Sequence, residues 1–99
     1  MIDTAGTIVS AAKVLSQSGA RNVTVAATHG VLSNPAIERL SNSSITELVL
    51  TDTIPMDRFK AAFGEKLSVI PTAPILASSL EAIVTRDSLL QIFEGRNYS

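Results

Sequence analysis

Three short apolar runs, each preceded by residues at helical spacing, constrain this chain more than any other feature: Asn22 to Thr28, Glu47 to Thr51 and Leu67 to Ile70. Their length and their β-branched and aliphatic content read as buried strands. Strands that alternate with helices favour a parallel sheet joined by right-handed crossovers. The interior must then be built with few rings, because 45% of the residues are apolar but only 4% are aromatic. Such an interior suits helices laid on a sheet. The expected fold class is α/β, a mostly parallel sheet with helices on both faces, and 99 residues make one small domain of it.

The first helical pattern places Ile8, Ala11, Ala12 and Leu15 on one face and stops at Ser18-Gly19-Ala20, where Gly19 suits a left-handed C-cap. A right-handed crossover into Asn22–Thr28 requires a strand upstream of Thr4, so the chain is expected to begin just past that strand. Ser33-Asn34-Pro35 signals entry into a second helix, Ala36 to Leu40, which Ser41 to Ser44 break. Met56 to Lys66 reads as a surface helical turn. Its Phe59 and Phe63 cover the sheet or a partner, and Asp57, Arg58, Glu65 and Lys66 read as solvated charges. Ala73 to Val84 is the longest remaining helix, with Ile75, Leu76, Leu80, Ile83 and Val84 on one face. An apolar segment from Ser88 to Phe93 and a fraying tail follow.

A net charge of -1 carries no footprint for nucleic acid or an anionic membrane. The lack of cysteine excludes disulfides, thiolate catalysis and zinc-thiolate sites. No apolar run reaches the length of a membrane span, and Met1-Ile2-Asp3 is no signal peptide. The chain reads as soluble and cytoplasmic.

The chemistry concentrates at Asp3-Thr4-Ala5-Gly6-Thr7, a polar turn that runs straight into the first helix. A helix start presents unpaired N–H groups, two threonine hydroxyls stand beside them, and Gly6 has no Cβ to hold a ligand away from the backbone. The turn can seat a phosphate. Equally, Asp3 or Thr4 can simply cap the helix, and the stretch by itself leaves both readings open. Asp3 beside an anion requires a sugar hydroxyl, a metal ion or a helix N–H as its own partner. His29, the one histidine, is a loop hydrogen-bonder or a catalyst, and no second histidine or cysteine joins it in a metal cluster. Asp52, before the Ile54-Pro55 turn, either binds a ribose hydroxyl or metal or forms the turn. Thr7, His29 and Asp52 would all lie near strand C-terminal ends, the edge where open α/β sheets bind ligands.

Met1-Ile2-Asp3-Thr4-Ala5-Gly6-Thr7 resembles the second half of the ribose-phosphate loop of type I phosphoribosyltransferases and ribose-phosphate pyrophosphokinases. Ala27-Thr28-His29-Gly30-Val31-Leu32-Ser33, Pro35-Ala36-Ile37 and Thr51-Asp52-Thr53-Ile54-Pro55 follow in the order seen in the C-terminal half of the pyrophosphokinases, as do the Ala77 to Ile83 helix and the Ser88 to Phe93 tail. The loop alone is shared with many phosphoribosyltransferases; the Thr-His-Gly and Asp-Thr-Ile-Pro stretches point to the pyrophosphokinases. The resemblance implies a phosphoribosyltransferase-like domain, incomplete at its N-terminus, from the C-terminal half of a two-domain homo-oligomeric enzyme. That enzyme transfers diphosphate from ATP to ribose 5-phosphate with magnesium, giving phosphoribosyl pyrophosphate. Asp3, Thr4, Ala5, Gly6 and Thr7 would bind ribose 5-phosphate, and ATP would be held mainly by the absent half.

The family's upstream acidic pair, its basic flexible loop and its ATP-binding half have no counterpart in these residues, so the chain alone is expected to be inactive. The same absences leave two other readings, a non-catalytic regulatory homologue and an ordinary phosphoribosyltransferase. Ser88 and Phe93 match a regulatory phosphate/ADP motif, but Leu90 stands where its second serine belongs. Asn34 replaces a glycine usual in the family, and asparagine tolerates the left-handed conformation. With a strand missing beside the first helix, and with Phe59, Phe63, Ile92 and Phe93 expected to lean on neighbouring chains or the absent half, the isolated chain is expected to self-associate or be only marginally stable.

Overall fold

In the computed structural model, which describes residues 1–85, helix α1 (Gly6–Gln17) leads to strand β1 (Thr24–Ala27). Helix α2 (Ala36–Ser41) leads to β2 (Glu47–Thr51), and α3 (Asp57–Phe63) with a 3-10 turn (Gly64–Lys66) to β3 (Leu67–Ile70). Helix α4 (Ala73–Thr85) follows. The sheet is parallel throughout, in the order β1-β2-β3, with Val25 beside Leu48 and Leu48 beside Leu67. The chain is α/β, as its alternating pattern implies.

The central strand carries the core. Leu48 and Leu50 on β2 are fully buried, as are Ala36 and Leu40 on α2, and Phe59 and Phe63 of α3 close over them. Burying an aliphatic or aromatic side chain of this kind contributes about 1.5–3 kcal/mol. The two phenylalanines stack at 6.5 Å between ring centres within the core, so of the two expected roles they cover the sheet rather than lean on a neighbour. Arg58 lies 4.4 Å over the Phe59 ring. Lys66, expected in solvent, instead donates to the Leu40 carbonyl at 2.6 Å, where α2 ends, and its partial burial lowers its pKa.

Several boundaries moved for identifiable reasons. Ser18-Gly19-Ala20 closes α1 as expected: Ala20 N–H donates to Leu15 O and Gly19 N–H to Ser16 O, with Gly19 at φ 106°. Asn34 is not left-handed; Leu32 is, at φ 54°, and the Asn34–Pro35 peptide is cis. β1 spans only four residues and alternates between exposed and half-buried, because it flanks β2 instead of sitting at the centre. Ala11 and Leu15 of α1 are exposed, Ala12 is buried in the core, and Ile8 and Val9 pack half-buried against it. On α4 the structure buries Ala82 and leaves Leu76, Leu80, Ile83 and Val84 more than half exposed, the reverse of the expected face. Ser88, Phe93 and the rest of the terminal segment lie outside the described residues.

Candidate functional site

Residues 1–8 line a cleft of about 200 Å³ at the start of α1. What holds this loop is β-like pairing at its upstream end. Ile2 bridges Gly30 in parallel: Ile2 N–H donates to the His29 carbonyl at 2.9 Å and Val31 N–H to the Ile2 carbonyl at 2.9 Å. Ile2 therefore lies alongside the C-terminal extension of β1. On its other side Gly30 makes room for the core. A Cβ there would lie 2.6 Å from Leu50 Cδ1, on a fully buried leucine.

After Ile2 the chain turns through Ala5, which is buried and left-handed at φ 67°, ψ 7°. Ala5 is the N-cap of α1, and no side chain caps it, so neither Asp3 nor Thr4 plays the capping role. Its carbonyl accepts from Val9 N–H at 3.0 Å, while the amides of Ala5, Gly6, Thr7 and Ile8 meet no acceptor among the described residues. These are the orphan donors of a helix start, and with the aligned peptide dipoles they favour an anion. Asp3, Thr4 and Thr7 are exposed around them. Behind the loop, Arg39 of α2 donates from Nη1 to the Thr4 carbonyl at 3.0 Å. Nothing in the sequence signalled this contact, since the partners are 35 positions apart. A Cβ on Gly6 would stand 3.2 Å from the same nitrogen, so the space glycine leaves faces the guanidinium rather than a ligand.

The other strand ends are differently built. Thr51 Oγ1 donates to the Thr28 carbonyl at 2.5 Å, and His29 Nδ1 shares a hydrogen bond with Thr53 Oγ1 at 2.6 Å. His29 thus acts as a local hydrogen-bonder that knits the end of β1 to the end of β2. Asp52 accepts on one oxygen from Thr72 N–H at 2.8 Å and from Thr72 Oγ1 at 2.7 Å, at the entrance to α4. The Thr72 hydroxyl first, and then its amide, hold the Asp52 carboxyl below its usual range. Asp52 also borders a separate cleft of about 430 Å³ with Met56, Lys60 and Val69, which shares no lining residue with the loop cleft.

The family model described as the phosphoribosyl synthetase-associated domain matches residues 1–94. The chain belongs to this family. It is 50% identical over 94 residues to a ribose-phosphate pyrophosphokinase of Bifidobacterium longum, covering 95% of this chain and 27% of that protein. It is 45% identical over 95 residues to the ribose-phosphate pyrophosphokinase of Corynebacterium efficiens, covering 96% of this chain and 28% of the relative. The crystal structure of phosphoribosylpyrophosphate synthetase from Mycobacterium smegmatis superposes with a TM-score of 0.77 at 41% identity, over 87% of this chain and 28% of that one. The resemblance drawn from the loop and from the Thr-His-Gly and Asp-Thr-Ile-Pro stretches is borne out, and the chain spans little more than a quarter of the length of these relatives. Among the described residues no three histidine or acidic side chains converge as a metal cage. Within the same residues no helix is long and apolar enough to cross a membrane.

Proposed function

We propose that this chain is the ribose 5-phosphate-binding piece of a ribose-phosphate pyrophosphokinase, a cytoplasmic, homo-oligomeric enzyme, and one phosphoribosyltransferase-like domain of it. The 5-phosphate sits on the Asp3-Thr4-Ala5-Gly6-Thr7 loop, taking N–H donors from the start of α1 and the Thr4 and Thr7 hydroxyls, while Asp3 accepts from a ribose hydroxyl. The observation that supports this most is the open helix start: amides at Ala5, Gly6, Thr7 and Ile8 without a protein acceptor, at the mouth of a cleft lined by the loop itself. In the whole enzyme the bound ribose 5-phosphate receives diphosphate from ATP at its anomeric hydroxyl, which loses its proton as AMP leaves.

Phosphoryl transfer is positioning plus charge neutralisation. The cation bonded to this loop, Arg39, is turned to the Thr4 carbonyl, so the chain's share of the work is to bind and orient the acceptor. ATP is held mainly by the remainder of the enzyme. Ser88 and Phe93 belong to a regulatory anion site weakened by Leu90.

The test is a titration of the ¹⁵N-labelled 99-residue chain with ribose 5-phosphate. The expected result is a saturable shift of the Ala5, Gly6 and Thr7 amides, displaced by inorganic phosphate. Shifts centred on Asp52 and Thr72 with the loop silent would refute the assignment.

A further inference from the structure

We propose that Arg39 is a positioning residue for the anion seat: by holding the Thr4 carbonyl from behind, it turns the Ala5 N–H outward toward the ligand. This rests on the ribose 5-phosphate reading above and adds to it a residue outside the loop. A peptide unit is planar and trans, so the carbonyl of Thr4 and the N–H of Ala5 point in opposite directions. Fixing the first at Arg39 Nη1, 3.0 Å away, aims the second away from α2. That N–H has no acceptor among the described residues.

Ala5 needs such a hold, since an alanine at φ 67° occupies a backbone region that L residues with a Cβ disfavour. The hold comes from a rigid place. Ala36 and Leu40, on either side of Arg39 along α2, are both fully buried, so the guanidinium is delivered by a helix fixed to the core. Gly6 completes the fit, because its missing side chain is what lets Nη1 approach the first turn of α1. No carboxylate lies within ion-pair distance of Arg39 among the described residues, so the carbonyl bond is the contact that orients the guanidinium.

The experiment compares the 99-residue chain with Arg39→Met and Arg39→Lys by NMR, first without ligand and then with ribose 5-phosphate. Without ligand, the Ala5 HN–Hα coupling and carbon shifts report the sign of its φ. Arg39→Met is expected to move Ala5 out of the left-handed region and to weaken ribose 5-phosphate about tenfold, as loss of a hydrogen bond to a charged group does. Arg39→Lys, which keeps a donor of similar reach, is expected to recover most of both. Arg39→Gln replaces the Met variant should that one not fold. An unchanged Ala5 signature in the neutral variants overturns the inference, and a fall in affinity with Ala5 unchanged assigns Arg39 a through-space charge effect instead. If the parent chain does not bind ribose 5-phosphate at all, the ligand reading fails, and the ligand-free Ala5 signature still decides what Arg39 does.

Discussion

Two helices start near the C-terminal edge of the sheet, and they are finished in opposite ways. At α4 an acidic side chain from the end of β2 closes the entrance: Asp52 takes both the amide and the hydroxyl of Thr72. At α1 the N-cap is a left-handed alanine with no side-chain cap, and the first amides stay open over a cleft. A helix start that already holds a carboxylate repels a second anion; one left bare can take a phosphate from outside. The difference teaches that a helix N-terminus is informative about ligands only once its cap is known.

The sharpest way to break this contrast is to fill the open end. Gly6→Val would put a branched side chain against the Arg39 guanidinium and distort the first turn of α1, so the ribose 5-phosphate shifts of the Ala5 and Thr7 amides should vanish. A titration curve like that of the parent chain would show that the ligand does not use this turn.

A smaller effect is expected where the open end is anchored. In Gly30→Ala the new methyl meets Leu50, which is fully buried and has little room to swing, so overpacking should destabilise the chain by about 1–3 kcal/mol in urea unfolding. Because Ile2 pairs with this residue, the loop amides should shift more than those of α4. Stability equal to that of the parent would mean that Leu50 repacks freely and that Gly30 does not set the loop's seat.

The smallest effect belongs to the closed end, which is exposed. The bonds from Thr72 favour the ionised carboxylate, so the folded-state pKa of Asp52 lies below its unfolded value. Its contribution is therefore complete above the unfolded pKa of about 4 and is lost as pH falls through the lower folded value. Asp52→Asn should remove that part of the acid dependence and fray the first turn of α4, with the ribose 5-phosphate response of the loop intact. Amide exchange at Thr72 and melting curves from acid to neutral pH check this. Loss of the loop response in Asp52→Asn would merge the two ends into one site and end the contrast.

Much of this architecture was legible in the chain. Short β-branched runs between helical patterns imply parallel strands, and Gly19 announces the end of α1, because both follow from backbone preferences that act within a few residues. The loop was legible through its residue types and its resemblance to the pyrophosphokinases. What the sequence could not determine depends on contacts between distant positions. Helical spacing named an apolar face on α4, yet Leu76, Leu80, Ile83 and Val84 stay more than half exposed while Ala82 is buried, because periodicity states which side is apolar and not what lies beside it. Whether α1 was capped was equally open, since Asp3 and Thr4 are good caps by type. The tertiary structure decided against them: pairing of Ile2 with Gly30 and the bond from Arg39 to Thr4 hold the chain in a turn whose N-cap is Ala5. Asp52 shows the converse, a residue plausible as a ligand by type whose carboxylate is engaged by Thr72, 20 positions away.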